Sequence, residues 1–267
     1  IRDFAGIETF QNPLPPIIAV NTTAGTASEM TSFAVITNTD IHVKMVFASA
    51  RITPSIAIND PALMVGLPAS LTAATGMDAL THAVEAYVAA LRTPVTDACA
   101  IAAIKLVAEY LPQAVANGEN LEARDKMAYA EYLAGMAFSN AGIGIVHAMA
   151  HQPGALLNKP HGVCNAILLP HGSKFNLIAC AQRYADIAVA MGVDTTGLTA
   201  MQAAEKAVEA MQELSAAVGI PAGLSAIGVK SSDIPVLADN ALKDICCFFN
   251  PRKIKLDDLV RLYNEAM

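Results

Sequence analysis

Five of the six histidines in this 267-residue sequence fall between positions 82 and 171, and their spacing is that of side chains sharing a helix face. Asp78 and His82 are four residues apart inside an apolar run of helical periodicity, so both project from one face, one turn apart. His147 and His151 repeat that spacing, and His161 and His171 follow in Pro160-His161-Gly162 and Pro170-His171-Gly172. Imidazole nitrogens joined by one carboxylate oxygen suit a divalent transition metal. A lone helical histidine is ordinarily a surface group or a satisfied core residue. The second pair and the further loop histidine are what turn the reading toward a metal. His42, beside Asp40 in a polar turn, reads as exposed, and His171 as structural. The segment His147-Ala148-Met149-Ala150-His151 has the histidine spacing of zinc-protease helices, but Ala148 stands where a general-base glutamate is required. Peptide hydrolysis would lack its proton acceptor.

The elements that must position these groups change character near residue 60. Before it the texture is strand and turn. Pro13-Leu14-Pro15-Pro16 cannot be helical and leads into a short apolar strand at Ile17-Ile18-Ala19-Val20. A small, polar turn follows (Asn21-Thr22-Thr23-Ala24-Gly25-Thr26-Ala27-Ser28-Glu29), then extended segments over 33–37, 43–48 and 55–58. From Pro61 onward apolar residues recur at helical spacing over 71–90, 96–116 and 121–149, the last broken or kinked by Gly135, Gly142 and Gly144. Pro94, Pro153, Pro160 and Pro170 read as punctuation between helices, with further helices over 181–191, 199–218, 232–242 and 255–267. The expected architecture is an α/β remnant of a Rossmann-like domain over residues 1–60, followed by an all-α metal-binding domain over 61–267.

Composition narrows the function classes. Hydrophobic residues make up 54% of the chain and charged residues 15%, enough to bury a sizeable core. The net charge of -7, with no Lys/Arg stripe, argues against a nucleic-acid partner. Polar and charged residues interrupt each apolar run, so no membrane span is expected. Five scattered cysteines without CxxC spacing read as reduced thiols of a cytoplasmic protein. The chain opens on Ile1-Arg2-Asp3-Phe4, as though entered partway through a domain, and no signal peptide is expected.

At these residues the sequence resembles the iron-containing (group III) alcohol dehydrogenases, in the branch of the 1,3-propanediol, lactaldehyde and methanol dehydrogenases. The resemblance runs from Asn21-Thr22-Thr23-Ala24-Gly25-Thr26 through Gly76-Met77-Asp78-Ala79-Leu80-Thr81-His82 to Asn250-Pro251-Arg252. Its most specific stretch is Val146-His147-Ala148-Met149-Ala150-His151-Gln152, followed by Pro160-His161-Gly162. It implies that Asp78, His82, His147 and His161 hold the metal, and that His151 is a catalytic proton relay or positioning group beside the nicotinamide. Thr22, Thr23 and Thr26, otherwise a plain hydroxyl-rich turn, would line the dinucleotide cleft, and Lys44 would reach the cofactor ribose. Phe138 and Cys246 fall where the family lines its substrate pocket.

The activity implied is hydride transfer between a small primary alcohol or diol and NAD, with NADP not distinguished. The metal would act as a Lewis acid toward the alcohol oxygen. Iron is named by the resemblance alone, since three imidazoles and a carboxylate accept zinc as well. A homo-oligomer is implied too. Several departures stand beside these expectations. The family's Gly-Gly-Gly-Ser turn over the pyrophosphate, and the acidic residue selecting NAD or NADP, are not in this sequence. Ala27 occupies a position where the family usually has glycine, and Pro153, Ala155 and Leu156 replace what is more often Leu, Gly and an aromatic. The rival reading is therefore a catalytically silent metal-binding fragment of such an enzyme. A synthase of the dehydroquinate synthase type would need a Lys/Arg phosphate cluster near the metal motifs, which the sequence does not supply.

Overall fold

A computed structural model describes residues 1–41 and 43–267. His42, expected to be exposed, lies outside the described residues. Among the described residues, the front of the chain forms two small sheets. In the first, β1 (Gly6–Ile7) pairs in parallel with β4 (Val43–Ala48), which pairs antiparallel with β3 (Phe33–Asn38). In the second, β2 (Ile18–Val20) runs parallel to β5 (Ile56–Ile58). The short β-branched and apolar runs read from sequence thus become strands within a residue or two of their expected bounds.

Behind the sheets lie α1 (Ala69–Val88), α2 (Pro94–Ala116), α3 (Leu121–Ala141), α4 (Ile145–Leu157), α5 (His161–Ala190), α6 (Ala200–Ala217), α7 (Ile234–Leu242) and α8 (Leu256–Glu265). α1 is the central helix. It packs against α2, α3 and α5, and every residue from Gly76 to Val88 is buried. Alanines at 73, 74, 79, 83 and 86 keep that helix slim enough to be surrounded. α2 is long and apolar enough, by length and composition, to cross a membrane, contrary to expectation. It carries Asp97, Lys105 and Glu109, however, and packs against α1 and α3.

Three of the expected helix punctuations are different in the structure. The long pattern over 121–149 breaks at 142–144, not at Gly135, and α3 and α4 meet at an angle of 104°. Pro153 and Pro170 sit inside α4 and α5, and α5 runs from His161 to Ala190 with a kink at Cys180. An interior proline costs about 3 kcal/mol, because it cannot donate to the carbonyl four residues back and its ring crowds that carbonyl. In α4 that carbonyl belongs to Met149, and the buried Tyr263 hydroxyl donates to it at 2.7 Å. The missing helix bond is replaced from α8, which lets Pro153 remain.

Candidate metal centre

Three helices bring the polar residues together. α1 carries Asp78, His82 and Glu85 as a stripe on an otherwise uncharged, largely buried helix. α4 carries His147 and His151 one turn apart, and α5 begins at His161 with Asn165 one turn on. The start of α4 has no local side-chain cap, yet its orphan amides are not free. Glu85 Oε1 accepts from the amide of Val146 at 2.7 Å, and Asn250 Oδ1 from that of Ile145 at 3.2 Å. Gly144 is what allows this approach, because a Cβ there would lie 2.8 Å from Asn250 Oδ1 and 2.9 Å from Glu85 Oε1. Gly162 does the same for α5, since a Cβ would drive into the Ala74 carbonyl and hold His161 away from α1.

The result is a convergence of donor atoms. One ligand atom each from Asp78, His147 and His161 lies within 4.8 Å of the other two. Asp78 Oδ1 is 3.8 Å from His147 Nε2 and 3.6 Å from His161 Nε2. Donors bound at about 2.1 Å in a tetrahedral site stand about 3.4 Å apart, so these separations match a shared ion. Among the described residues, His147 Nε2 is buried with no hydrogen-bond partner. Its other nitrogen, Nδ1, is 2.6 Å from Glu85 Oε2, which accepts that proton and leaves the Nε2 lone pair free. His82 borders the trio without joining its closest convergence. Its ring stacks at 4.4 Å on His147 and at 4.3 Å on Phe138, and its buried Nδ1 is likewise unpartnered.

The electrostatics suit a cation. Burial pushes His82 down to about 3, against the opposing pull of Asp78, and holds His147 well below its ordinary value. His161 is also lowered, by burial first. Neutral imidazoles keep their lone pairs, as metal binding requires. Burial raises Glu85 to about 7, although three N–H donors from the start of α4 work against it. Asn165 Nδ2 donates to Asp78 Oδ1 at 2.6 Å, and it lies 3.1 Å from His161 Nε2, whose lone pair an ion would take in its place.

This cluster lines one side of a 750 Å³ cavity that also takes in Thr26, Lys44, Phe138, His151 and Cys246. Thr22 and Thr23 belong to the same turn as Thr26 but are outside that lining. Lys44 is half-buried, and burial lowers its pKa. Ala27 is buried at a φ of +49°, the left-handed region that favours glycine, which accounts for the glycine usual there. His171 lies away from the cluster, its pKa lowered by burial.

Three residues of the site were not singled out from sequence. Glu85 continues the Asp78/His82 stripe at seven residues from Asp78, and Asn165 sits four from His161, so both carried a helical signal. Asp244 had none. It reaches His151 Nδ1 at 2.9 Å across 93 residues of chain.

Comparison with known proteins matches the whole chain. A family described as "Fe-containing alcohol dehydrogenase family, C-terminal" matches residues 72–267, and "Iron-containing alcohol dehydrogenase" matches residues 1–61. The chain is 58% identical over 266 residues to 1,3-propanediol dehydrogenase of Klebsiella pneumoniae, covering 100% of this chain and 69% of that protein. It is 50% identical over 267 residues to the NAD-dependent methanol dehydrogenase of Bacillus methanolicus, covering 100% and 70%. An alcohol dehydrogenase structure from Oenococcus oeni superposes with a TM-score of 0.97 at 54% identity, covering 99% of this chain and 69% of that one.

Proposed function

Since the chain belongs to the iron-containing alcohol dehydrogenase family, we propose that Asp78, His82, His147 and His161 hold a divalent iron ion at the wall of the cavity. The protein is a metal-dependent alcohol dehydrogenase, moving hydride between a small primary alcohol or diol and a nicotinamide. The observation carrying the site assignment is the buried, unpartnered His147 Nε2 beside Asp78 Oδ1 and His161 Nε2. An unpaired buried nitrogen costs about 1–3 kcal/mol, and a bound cation removes that cost.

When bound, the ion supplies Lewis acidity toward the alcohol oxygen. The chain's own residues do the rest. Glu85 and Asn165 hold His147 and Asp78 in orientation, so the donors are set before substrate arrives. Phe138, Ile143, Ile245 and Phe249 give the cavity apolar walls that exclude water and favour a short carbon chain. Thr26 and Lys44 stand on the strand-and-turn side, where a dinucleotide of the NAD type is bound in this proposal, Thr22 and Thr23 lying further along the turn. His151, on the cavity wall one turn from His147, carries the hydroxyl proton. Five free thiols accord with a cytoplasmic location, and a homo-oligomer is the assembly we propose.

Metal analysis of the purified chain and of His161→Ala tests the site. The wild type is expected to retain a stoichiometric transition metal and to bind NADH, and the variant to lose the metal. Full metal retention by His161→Ala would overturn the ligand assignment.

A further inference from the structure

We infer that Asp244 is the positioning residue that fixes the ring and tautomer of His151, so that Nε2 is the nitrogen presented for proton transfer. The inference rests on the reading of His151 as the proton carrier. One arrangement occurs twice on α4. His147 and His151 each have Nδ1 bonded to a carboxylate from a distant element, His147 to Glu85 at 2.6 Å and His151 to Asp244 at 2.9 Å. One device therefore serves two ends, a metal donor and a cavity histidine. A carboxylate accepting at Nδ1 requires the proton there and leaves the lone pair on Nε2.

Asp244 is itself built in. Its Oδ1 accepts from the Cys246 amide at 3.0 Å, and Gln152 Nε2 approaches Oδ2 at 3.4 Å while also donating to the Ala148 carbonyl at 2.9 Å. The carboxylate thus links the segment after α7 to the face of α4 and sets Cys246, which lines the same cavity. Burial works to raise the Asp244 pKa, but hydrogen bonding and charge interaction with His151 outweigh it and hold the group below its ordinary value. The ligand atoms of His151, Asp244 and Cys246 also lie within 4.8 Å of one another, a spacing open to a second metal. Both oxygens of Asp244 are already taken by N–H donors, however, and burial holds the Cys246 thiol well above its usual range. The cluster reads as a hydrogen-bond network.

The test compares Asp244→Ala, Asp244→Asn and His151→Gln in the full chain, zinc-loaded for NMR and Fe(II)-loaded for kinetics. Nitrogen-15 NMR of labelled histidines reads the His151 tautomer, and steady-state kinetics with NAD and 1,3-propanediol read kcat and KM separately. The wild type is expected to show His151 with its proton on Nδ1. Asp244→Asn should keep this tautomer, because two donors, His151 Nδ1 and Gln152 Nε2, draw its single amide oxygen to their side and leave only the Cys246 amide facing its nitrogen. Asp244→Ala should shift His151 toward the Nε2–H form and lose kcat by roughly ten- to a hundredfold, with KM changing much less. Asp244→Asn should recover a large part of that loss, and it keeps the test decisive if the alanine variant fails to fold. An unchanged tautomer in Asp244→Ala, or equal kcat losses in the alanine and asparagine variants, would overturn the positioning role. Full activity of His151→Gln would instead remove the proton-carrier reading and leave the tautomer result standing.

Discussion

Glu85 offers the sharpest test of how the centre is built, because Glu85→Gln changes charge and hydrogen-bond polarity at almost constant shape. Glu85 accepts from the amides of Val146 at 2.7 Å and His147 at 3.3 Å, and from His147 Nδ1 at 2.6 Å. A glutamine has one acceptor oxygen and one donor nitrogen, so one side of this arrangement must fail. With its nitrogen toward His147, it confronts the His147 amide and can bond the ring only if the proton moves to Nε2. The lone pair intended for the metal is then lost. With the nitrogen turned the other way, it confronts the Val146 amide at the start of α4. Either arrangement leaves at least one buried donor unpaired, at about 1–3 kcal/mol.

The expected result is a loss of roughly ten- to a hundredfold in metal affinity, the usual scale for a lost partner behind a ligand histidine. At a fixed metal concentration well above the dissociation constant, that reduces the metal-dependent stabilisation by about 1.4–2.7 kcal/mol. Competition for Zn(II) or Fe(II) against a chromophoric chelator measures the first quantity. Thermal unfolding with and without metal measures the second. Glu85→Gln binding metal as tightly as the wild type would refute the claim that Glu85 orients His147.

Two further predictions concern the framework. Tyr263→Phe leaves the Met149 carbonyl without its donor, because Pro153 cannot supply one, and should destabilise the chain by about 1–3 kcal/mol in urea unfolding. The same change beside Pro153→Leu, which restores a helix amide, should cost clearly less; equal costs would dissociate the two residues. Glu131 is buried, accepts from the Ala27 amide at 2.7 Å and Asn21 Nδ2 at 3.1 Å, and is pushed up to about 8 by burial first and then by Glu29. A carboxyl whose folded pKa is raised keeps its proton longer in the folded chain than in the unfolded one. Its contribution is therefore present below the ordinary carboxylate range and is lost as pH rises toward 8, by at most about 1.4 kcal/mol per pH unit. Glu131→Gln should flatten the fall in unfolding free energy across that window, and an unchanged slope would count against the assignment.

Much of this molecule was legible residue by residue. Local chain geometry sets which side chains share a helix face, so Asp78 with His82, and His147 with His151, followed from spacing four apart. The short apolar strands and the change of texture near residue 60 followed from patterning and proline content in the same way. Local rules failed where a distant group intervenes. Pro153 reads as a helix end because its own segment cannot replace the lost bond, yet Tyr263 replaces it from 110 residues further along. The carboxylates behind the two α4 histidines show the same limit. Glu85 and Asp244 lie 62 and 93 residues from the rings they hold, and such a pairing is set by how helices dock, not by any periodicity along the chain. The sequence by itself determined the donor types and their pairing along each helix. Only the tertiary structure decided which nitrogen each imidazole presents, because that choice belongs to the acceptor on the far side of the ring.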